Sequence, residues 1–194
     1  MKLEELLRLR RTIRVIGFDD APFVRGSGQP VGVAGVICGN TRFEGMLWGE
    51  VEADGWDGTE QLCKWLSKSK FLPQLHLILL DGICLGGFNV IDLPLLSRTL
   101  NLPCVALMRS LPDLDKMKFA LSRLPFPEKR WEILQRAGEI YGYPPFYFQV
   151  QGDTPNTIAS VLNSLTDRGH VPEALRLAHL IGAAVIKGES GKQA

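Results

Sequence analysis

Apolar residues fall along this chain in two patterns, short continuous runs and longer stretches in which they recur every three or four positions. Continuous runs are typical of buried strands, and the second pattern is typical of helices with one apolar face. The runs predict strands at 13–18, 31–38, 41–51, 75–80, 104–108 and 146–151. The longer stretches predict helices at 4–10, from about 57 or 59 onward, and at 93–100, 113–123, 128–140, 155–167 and 172–187.

The order of these elements predicts a mixed sheet. Gly39-Asn40 is a turn signal between the second and third strands, so the first three strands are expected to form an antiparallel meander. The strands at 75–80 and 104–108 alternate with helices, which favours right-handed parallel crossovers. We therefore expect an α/β protein of the ribonuclease-H-like arrangement, with a five-stranded sheet (three antiparallel strands, two parallel) and helices on both faces. In that arrangement the first and fourth strands lie side by side.

Length and composition are those of an ordinary globular protein. The 194 residues are most simply one domain, 1–194, which is long enough to bury a substantial core. No apolar stretch is long enough to span a membrane, and the charged N-terminal segment does not resemble a secretory signal, so we expect a cytoplasmic protein. The cysteines stand singly, which argues against a zinc site or a disulfide framework: Cys38, Cys63, Cys84 and Cys104.

The net charge of +1 gives no overall attraction to nucleic acid, so any such binding must use a local patch. The segment from Arg109 to Arg136 is the best candidate, because it carries seven basic residues against four acidic ones. Mixed charges at helical spacing are also typical of a solvated helix face, and the segment alone does not decide between the two.

Two of the predicted strands end in carboxylates. Asp19 and Asp20 follow the run 13–18, and Asp81 follows the run 75–80. Clustered carboxylates repel one another unless a cation neutralises them, and oxygen ligands favour hard divalent ions. The pattern therefore predicts a Mg²⁺ or Mn²⁺ site at one edge of the sheet. An aspartate after a strand also commonly begins a turn or caps a helix, and that alternative stays open for each motif alone.

Several segments together resemble the deoxyuridine endonuclease family, a relative of endonuclease V, over essentially the whole chain. The most specific of them is Gly-Gly-Phe-Asn-Val-Ile-Asp at 86–92. The others are Ile-Gly-Phe-Asp-Asp at 16–20, Asp-Gly-Trp-Asp-Gly-Thr at 54–59, Leu-Asp-Gly at 80–82 and Leu-Arg-Leu-Ala-His at 175–179. The resemblance implies a metal-dependent endonuclease of DNA repair that acts on DNA containing deaminated bases, uracil in particular, with Mg²⁺ or Mn²⁺ as cofactor.

The resemblance also implies metal ligands. Asp19 resembles the first-strand aspartate that bridges the metals in endonuclease V, and Asp81 resembles its fourth-strand aspartate. Asp57 is a looser match, because endonuclease V has a glutamate at the corresponding helix start. Glu60, one turn later, is the alternative third ligand. The expected metal ligands are thus Asp19, Asp57 and Asp81.

Two further residues complete the expected catalytic set. His179 resembles the histidine of a late-helix Arg-Leu-Ala-His motif and would be an outer ligand or a proton shuttle. Without the resemblance, a helix histidine is more simply explained by a bond to a backbone carbonyl. Arg109 stands where endonuclease V has a lysine, and a cation there could steady the cleaved phosphate. Asp20 and Asp92 are secondary acids, and Asp92 is more simply the cap of the helix that follows it.

Lesion recognition is expected to differ from that of endonuclease V. The Pro-Tyr-Ile-Pro wedge that endonuclease V inserts beside a lesion has no counterpart in this sequence. The Gly- and Pro-rich loop 21–30 is a candidate replacement. Phe23 on that loop and Phe88 are aromatic candidates for stacking on a displaced base, although such residues more often pack against the core.

Two other functions stay open at this point. A non-catalytic nucleic-acid-binding module could use the acidic edge for one structural metal or only for helix caps. A nuclease of the same fold could act on RNA or branched DNA, because a fold does not fix the substrate. No residue pattern here reads a 2′-hydroxyl or its absence.

Overall fold

The computed structural model describes residues 1–191. The strands in this range are β1 (Arg14–Asp20), β2 (Val31–Gly39), β3 (Arg42–Val51), β4 (Leu77–Asp81), β5 (Cys84–Leu85), β6 (Asn89–Val90), β7 (Cys104–Met108), β8 (Tyr141–Tyr143) and β9 (Phe146–Gln151). The α-helices are α1 (Leu3–Arg8), α2 (Gly58–Ser67), α3 (Leu93–Leu100), α4 (Leu114–Leu121), α5 (Pro127–Arg136), α6 (Pro155–Ser164) and α7 (Glu173–Lys187).

Seven of the strands form one mixed sheet in the order β3-β2-β1-β4-β7-β9-β8. β1, β2 and β3 are the predicted antiparallel meander, and β4 and β7 add to it in parallel, with β4 directly beside β1. The prediction of five strands is wrong. β9, at the predicted position, pairs antiparallel with β7, and the short strand β8 pairs with β9. These two strands cover the edge of β7 that a five-stranded sheet would leave open.

Helices cover both faces of the sheet, as predicted. Alternate residues of the central strands feed two apolar clusters. Ile78 and Leu80 of β4 pack with residues of α2, α3, α4 and α5, whereas Leu77 and Leu79 pack with residues of α1, α6 and α7. β4 is thus buried on both faces, which explains its continuous apolar run. At one edge of this doubly covered sheet the run gives way to Asp81.

Some element boundaries differ by a few residues from those predicted. The fourth strand begins at Leu77 rather than at 75, because a 3₁₀ turn occupies Leu72–Gln74. α5 ends at Arg136 rather than at 140, because Gly138 adopts a left-handed φ of +89° that ends the helix. No helix within residues 1–191 has the length and apolar character needed to cross a membrane.

Candidate metal centre

Asp19 and Asp81 lie side by side at the edge of the sheet. β1 and β4 pair in parallel with Phe18 opposite Leu80, so the next residue of each strand is an aspartate. Side chains alternate along a strand, and Leu79, two residues before Asp81, packs in the cluster that α7 covers. Both carboxylates therefore leave the sheet on the α7 face. The expected adjacency of the two strands brings these side chains together.

His179 reaches the two carboxylates from α7. A Cβ on Gly17 of β1 would lie 2.8 Å from the backbone nitrogen of Leu175, so glycine is needed at this position for α7 to lie so close to the strand. One turn beyond His179, a Cβ on Gly182 would lie 3.2 Å from the Cα of Ala21. The two glycines allow α7 to pack closely against β1 and the residue that follows it, at one contact before His179 and one after it.

Asp19, Asp81 and His179 form a compact group of potential metal ligands. One ligand atom from each lies within 4.8 Å of the other two. His179 Nδ1 is 2.9 Å from Asp19 Oδ2, and Arg109 Nη2 is 3.3 Å from Asp81 Oδ2. The Asp19 side chain is 8% exposed, whereas that of Arg109 is 53% exposed. All four side chains line one cleft, with Asp19 at its floor and Arg109 at its rim.

The electrostatics of Asp19 favour a cation. Burial first, and then the neighbouring Asp81 carboxylate, raise the pKa of Asp19 from 3.8 to about 7, against the lowering effect of the hydrogen bond with His179. The cleft therefore penalises the charge on Asp19 unless an additional positive charge is supplied. The two carboxylates supply the oxygen ligands that Mg²⁺ and Mn²⁺ prefer, and the imidazole can support them through its hydrogen bond to Asp19. The residues present fit the expected ion.

The two secondary acids have structural partners. Asp20 Oδ2 accepts a hydrogen bond of 2.6 Å from the backbone N–H of Gly86, which ties β1 to the β5–β6 hairpin. Burial raises the pKa of Asp20. Asp92 caps α3 by accepting from the N–H of Leu95, and it also pairs with Arg136 at 2.8 Å. The capping role predicted for Asp92 is confirmed.

Asp57 and Glu60 lie apart from this group. Within residues 1–191, neither joins Asp19 and Asp81 in a set of ligand atoms close enough to share one ion. Asp57 Oδ1 accepts hydrogen bonds from the N–H of Glu52 at 3.1 Å and from Asn89 Nδ2 at 2.6 Å, and Glu60 is exposed on α2. The assignment of Asp57 as a ligand stays a prediction.

Asn89 is a positioning residue whose role is not evident from the sequence pattern. It is fully buried, and besides holding Asp57 it accepts from the N–H of Gly58 at 2.9 Å. It therefore fixes the start of α2. The sequence does contain one indication of this role. Asn89 stands between Phe88 and Val90 in the 86–92 motif, and an amide buried among apolar residues requires hydrogen-bond partners.

Arg130 lies in the segment 109–136, whose charges predict a basic surface, and that pattern does not reveal its buried position. Its side chain is 2% exposed, and its guanidinium lies 4.1 Å from the ring centroid of Trp56. It donates to four backbone carbonyls, those of Asp54, Gly55, Phe88 and Pro125. The signal was its spacing from Leu134 and Ala137, which places all three on one buried face of the helical segment.

Phe23 and Phe88 both pack against the core cluster beneath α2 and α3. Phe23 is half-buried and also lines the cleft beside Asp19. Phe88 is half-buried, and the guanidinium of Arg25 lies 5.9 Å from its ring centroid. The packing expected for such residues is present for both, and their stacking on a base stays a prediction.

A family model described as endonuclease dU matches the chain over residues 11–186. The chain belongs to the endonuclease dU family. Among the relatives of this family member, a UPF0215 protein of Methanosarcina barkeri is 39% identical over 186 residues, which cover 94% of this chain and 95% of the relative. A UPF0215 protein of Methanopyrus kandleri is 36% identical over 200 residues and is matched over 100% of both chains.

Two solved structures are similar in fold to this endonuclease dU family member. A protein of unknown function from Archaeoglobus fulgidus superposes with a TM-score of 0.85 and 34% identity, over 91% of this chain and 99% of that one. Ciona intestinalis endonuclease V, in complex with a DNA containing an inosine followed by a ribo-adenosine, superposes with a TM-score of 0.61 and 16% identity, over 93% and 88% of the two chains. At that identity the likeness is one of fold. The resemblance noted in the sequence is confirmed at the level of family and fold.

Proposed function

We propose that this protein is a metal-dependent endonuclease that hydrolyses phosphodiester bonds in DNA containing deaminated bases, deoxyuridine in particular. The observation that carries the proposal is the convergence of Asp19, Asp81 and His179 at adjoining strand ends, in a chain of the endonuclease dU family. The strand order β3-β2-β1-β4-β7, with acids at the ends of β1 and β4, supports a ribonuclease-H-like nuclease.

Asp19 and Asp81 would hold Mg²⁺ or Mn²⁺. The ion, when bound, supplies Lewis acidity toward the phosphate and lowers the pKa of a bound water. Asp57 is the proposed third carboxylate ligand, with Glu60 as the alternative; neither lies close enough in this structure to share an ion with Asp19 and Asp81, so either would have to move toward them. Both hydrogen bonds to Asp57 go to Oδ1, which leaves its Oδ2 for a cation.

His179 and Arg109 would act on protons and on phosphate charge. When Asp19 is ionised, His179 Nδ1 donates to it, and Nε2 becomes an acceptor. Nε2 then takes a proton from the water that attacks phosphorus. As the P–O bond to the leaving sugar oxygen breaks, that oxygen takes a proton from a solvent water, and the imidazolium returns its proton to solvent. Arg109, exposed at the rim of the cleft, would contact a non-bridging phosphate oxygen.

DNA as substrate is supported by the family description and by the endonuclease V structure that contains inosine DNA. The same DNA carries a ribo-adenosine after the inosine. A strand with one ribonucleotide after the lesion is therefore the first alternative substrate to compare.

The test is a cleavage assay with purified protein and labelled single-stranded and duplex oligonucleotides that carry uracil, hypoxanthine or no lesion. Each is incubated with Mg²⁺, Mn²⁺ or EDTA, and matched strands with one ribonucleotide or all RNA test the alternatives. We expect cleavage that depends on both uracil and the metal ion. Equal cleavage of normal and uracil DNA would overturn the substrate assignment, and cleavage in EDTA would overturn the metal assignment.

Two variants sharpen this assay. Asp81→Asn, which keeps the shape of the side chain but loses the charge, should abolish cleavage without unfolding the protein. Asp20→Asn is the matched control, because its amide oxygen can still accept from Gly86 and its side chain lies outside the group of three. It should retain most of the activity.

A further inference from the structure

A pocket of about 420 Å³ opens between α4, α5, the end of β7 and the middle of β9. This volume lies in the range of roughly 300–1,000 Å³ that is typical of small-ligand sites. Most of its wall is apolar and includes Ile83, Met108, Met117, Trp131, Leu134 and Ile140. The mechanism proposed above makes no use of this pocket.

One buried amide gives the apolar pocket a fixed polar group. Gln149 is 6% exposed and lines the pocket from β9. Its Nε2 donates to the carbonyl of Gly138 at 2.8 Å, which fixes the orientation of the amide. No residue in the described range 1–191 donates a hydrogen bond to its Oε1. Every fully buried side-chain oxygen or nitrogen in this range has a partner, so Oε1 is not fully buried. Among the described residues, Oε1 is therefore an acceptor without a protein donor, on a side chain that lines the pocket.

The pocket adjoins the metal centre. Ile83 lies two residues after Asp81, and Met108 directly precedes Arg109. Two residues of chain span at most about 7 Å. The carboxylates leave the sheet on the α7 face and the pocket lies on the other face, so the two sites lie on opposite faces near the ends of the same strands.

The chemistry of the pocket suits a flat, uncharged ring that presents an N–H group. Deamination creates such a group, because the bare N3 of cytosine becomes an N3–H in uracil and the bare N1 of adenine becomes an N1–H in hypoxanthine. Gln149 Oε1 can accept from either N–H, whereas it would face a lone pair on cytosine or adenine. Trp131 also lines the pocket, and an indole ring is a potential stacking partner for a base; the ammonium of Lys118 lies 5.6 Å from its ring centroid.

We propose that this pocket receives the deaminated base, extruded from the substrate strand, and that Gln149 distinguishes a ring N–H from a bare ring nitrogen. The proposal rests on the function proposed for the metal centre and names how its substrate is selected. Thymine also carries an N3–H, so Gln149 does not reject it. A paired thymine costs more to extrude than a mismatched uracil, so rejection of thymine should be stronger in duplex than in single-stranded DNA.

The test measures binding without cleavage. Fluorescence anisotropy in EDTA compares single-stranded oligonucleotides that differ only in one central uracil or cytosine. We expect the parent protein to prefer uracil roughly tenfold, the effect of one well-placed hydrogen bond that the other base leaves unmade. Gln149→Leu should bind the two strands equally.

Gln151→Leu is the matched control. Gln151 lies two residues along β9, and its Nε2 donates to the carbonyl of Ala137 at 3.1 Å, but it does not line the pocket. This variant should keep the preference for uracil. Met117→Trp, which fills the pocket from α4, should remove the preference by a second route and decides the matter if Gln149→Leu does not fold.

The outcomes separate this proposal from that of the metal centre. A parent protein with no preference for uracil over cytosine, or a pocket-filled Met117→Trp variant that keeps the preference, overturns the base pocket. Preference lost in Gln149→Leu and kept in Gln151→Leu supports it. If that pattern appears in a protein that never cleaves DNA, the base pocket stands and the nuclease assignment fails.

Discussion

Asp19 occupies the most demanding electrostatic position in the site. It is buried at the end of β1, with the Asp81 carboxylate beside it and His179 as its hydrogen-bond partner. An ion that neutralises the two acids would remove most of the penalty on its charge. Metal binding and the ionisation of Asp19 should therefore be coupled, and stability should report the coupling.

The pKa of Asp19 predicts how the metal-free protein responds to pH. Its folded-state pKa of about 7 lies above the value of 3.8 expected in the unfolded chain. Between pH 4 and 7 the Asp19 side chain is ionised in the unfolded chain but still protonated in the folded protein. The free energy of unfolding should therefore fall as pH rises through that window, by at most about 4 kcal/mol. Asp19→Asn should remove this fall. Urea denaturation in EDTA at pH 4, 6 and 8 measures the free energy of unfolding of both proteins. If Asp19→Asn is no more stable than the parent at pH 8, Asp19 is not the group whose raised pKa destabilises the metal-free protein.

The sequence foretold some of these residues better than others. Asp19 and Asp81 could be paired because they end apolar runs whose order along the chain predicts neighbouring strands. His179 lies 160 positions from Asp19, and only the family resemblance linked the two. Gly17 and Asn89 escaped notice because their roles depend on close contacts with distant segments, which periodicity does not encode.

At the scale of elements, the placement of α7 depends on the absence of a side chain on β1. Gly17→Ala would put a Cβ 2.8 Å from the backbone of Leu175, and the helix must then move. We expect a loss of roughly 1–3 kcal/mol in unfolding free energy. Cleavage by the fraction that stays folded should fall as well, because His179 would shift from Asp19. Circular-dichroism melts and the cleavage assay measure the two effects.

Gly142→Ala is the control for this strand glycine. A Cβ on Gly142 of β8 would meet Tyr147 at 3.5 Å, an ordinary contact. Stability and cleavage should change little. If both variants lose cleavage to the same extent, the close packing of α7 against β1 does not position His179.

Arg130 joins α5 to the loops around Asp54 and Phe88. Arg130→Met removes the donor to four backbone carbonyls, and leaving several of them unpaired should cost roughly 3 kcal/mol or more. Arg123→Met is the control, because Arg123 is exposed and lies over the Phe119 ring. Urea midpoints of the two variants give the comparison, and equal midpoints would show that α5 is held by its apolar contacts alone.

The elements themselves were largely legible in the sequence. β7 and α3 have the predicted bounds, because an apolar run and a capped amphipathic segment are local signals. The size of the sheet was not legible, since the pairing of β9 with β7 joins segments about 40 residues apart and leaves no mark in either strand. The three residues of β8 are too few to show alternation.

At the scale of the whole molecule, the two proposed sites lie on opposite faces of the sheet near the ends of the same strands. The carboxylates face α7, and the pocket with Gln149 lies between α4 and α5 on the opposite face. A strand of DNA held at these strand ends could present a phosphate to one face and an extruded base to the other. With a net charge of +1, the protein has little general attraction for DNA, so selection would depend on these two local sites.

The central claim, that Asp19 and Asp81 hold a divalent ion, is tested most directly by calorimetric titration of metal-free protein with Mn²⁺ at pH 6.5. We predict saturable binding with release of a proton, detected by comparing buffers of different ionisation enthalpy, because Asp19 must ionise to bind. Asp81→Asn should weaken binding at least about tenfold, since it removes a charged ligand, and Asp20→Asn should bind like the parent. Absence of saturable binding in the parent, or unchanged affinity in Asp81→Asn, would contradict the claim.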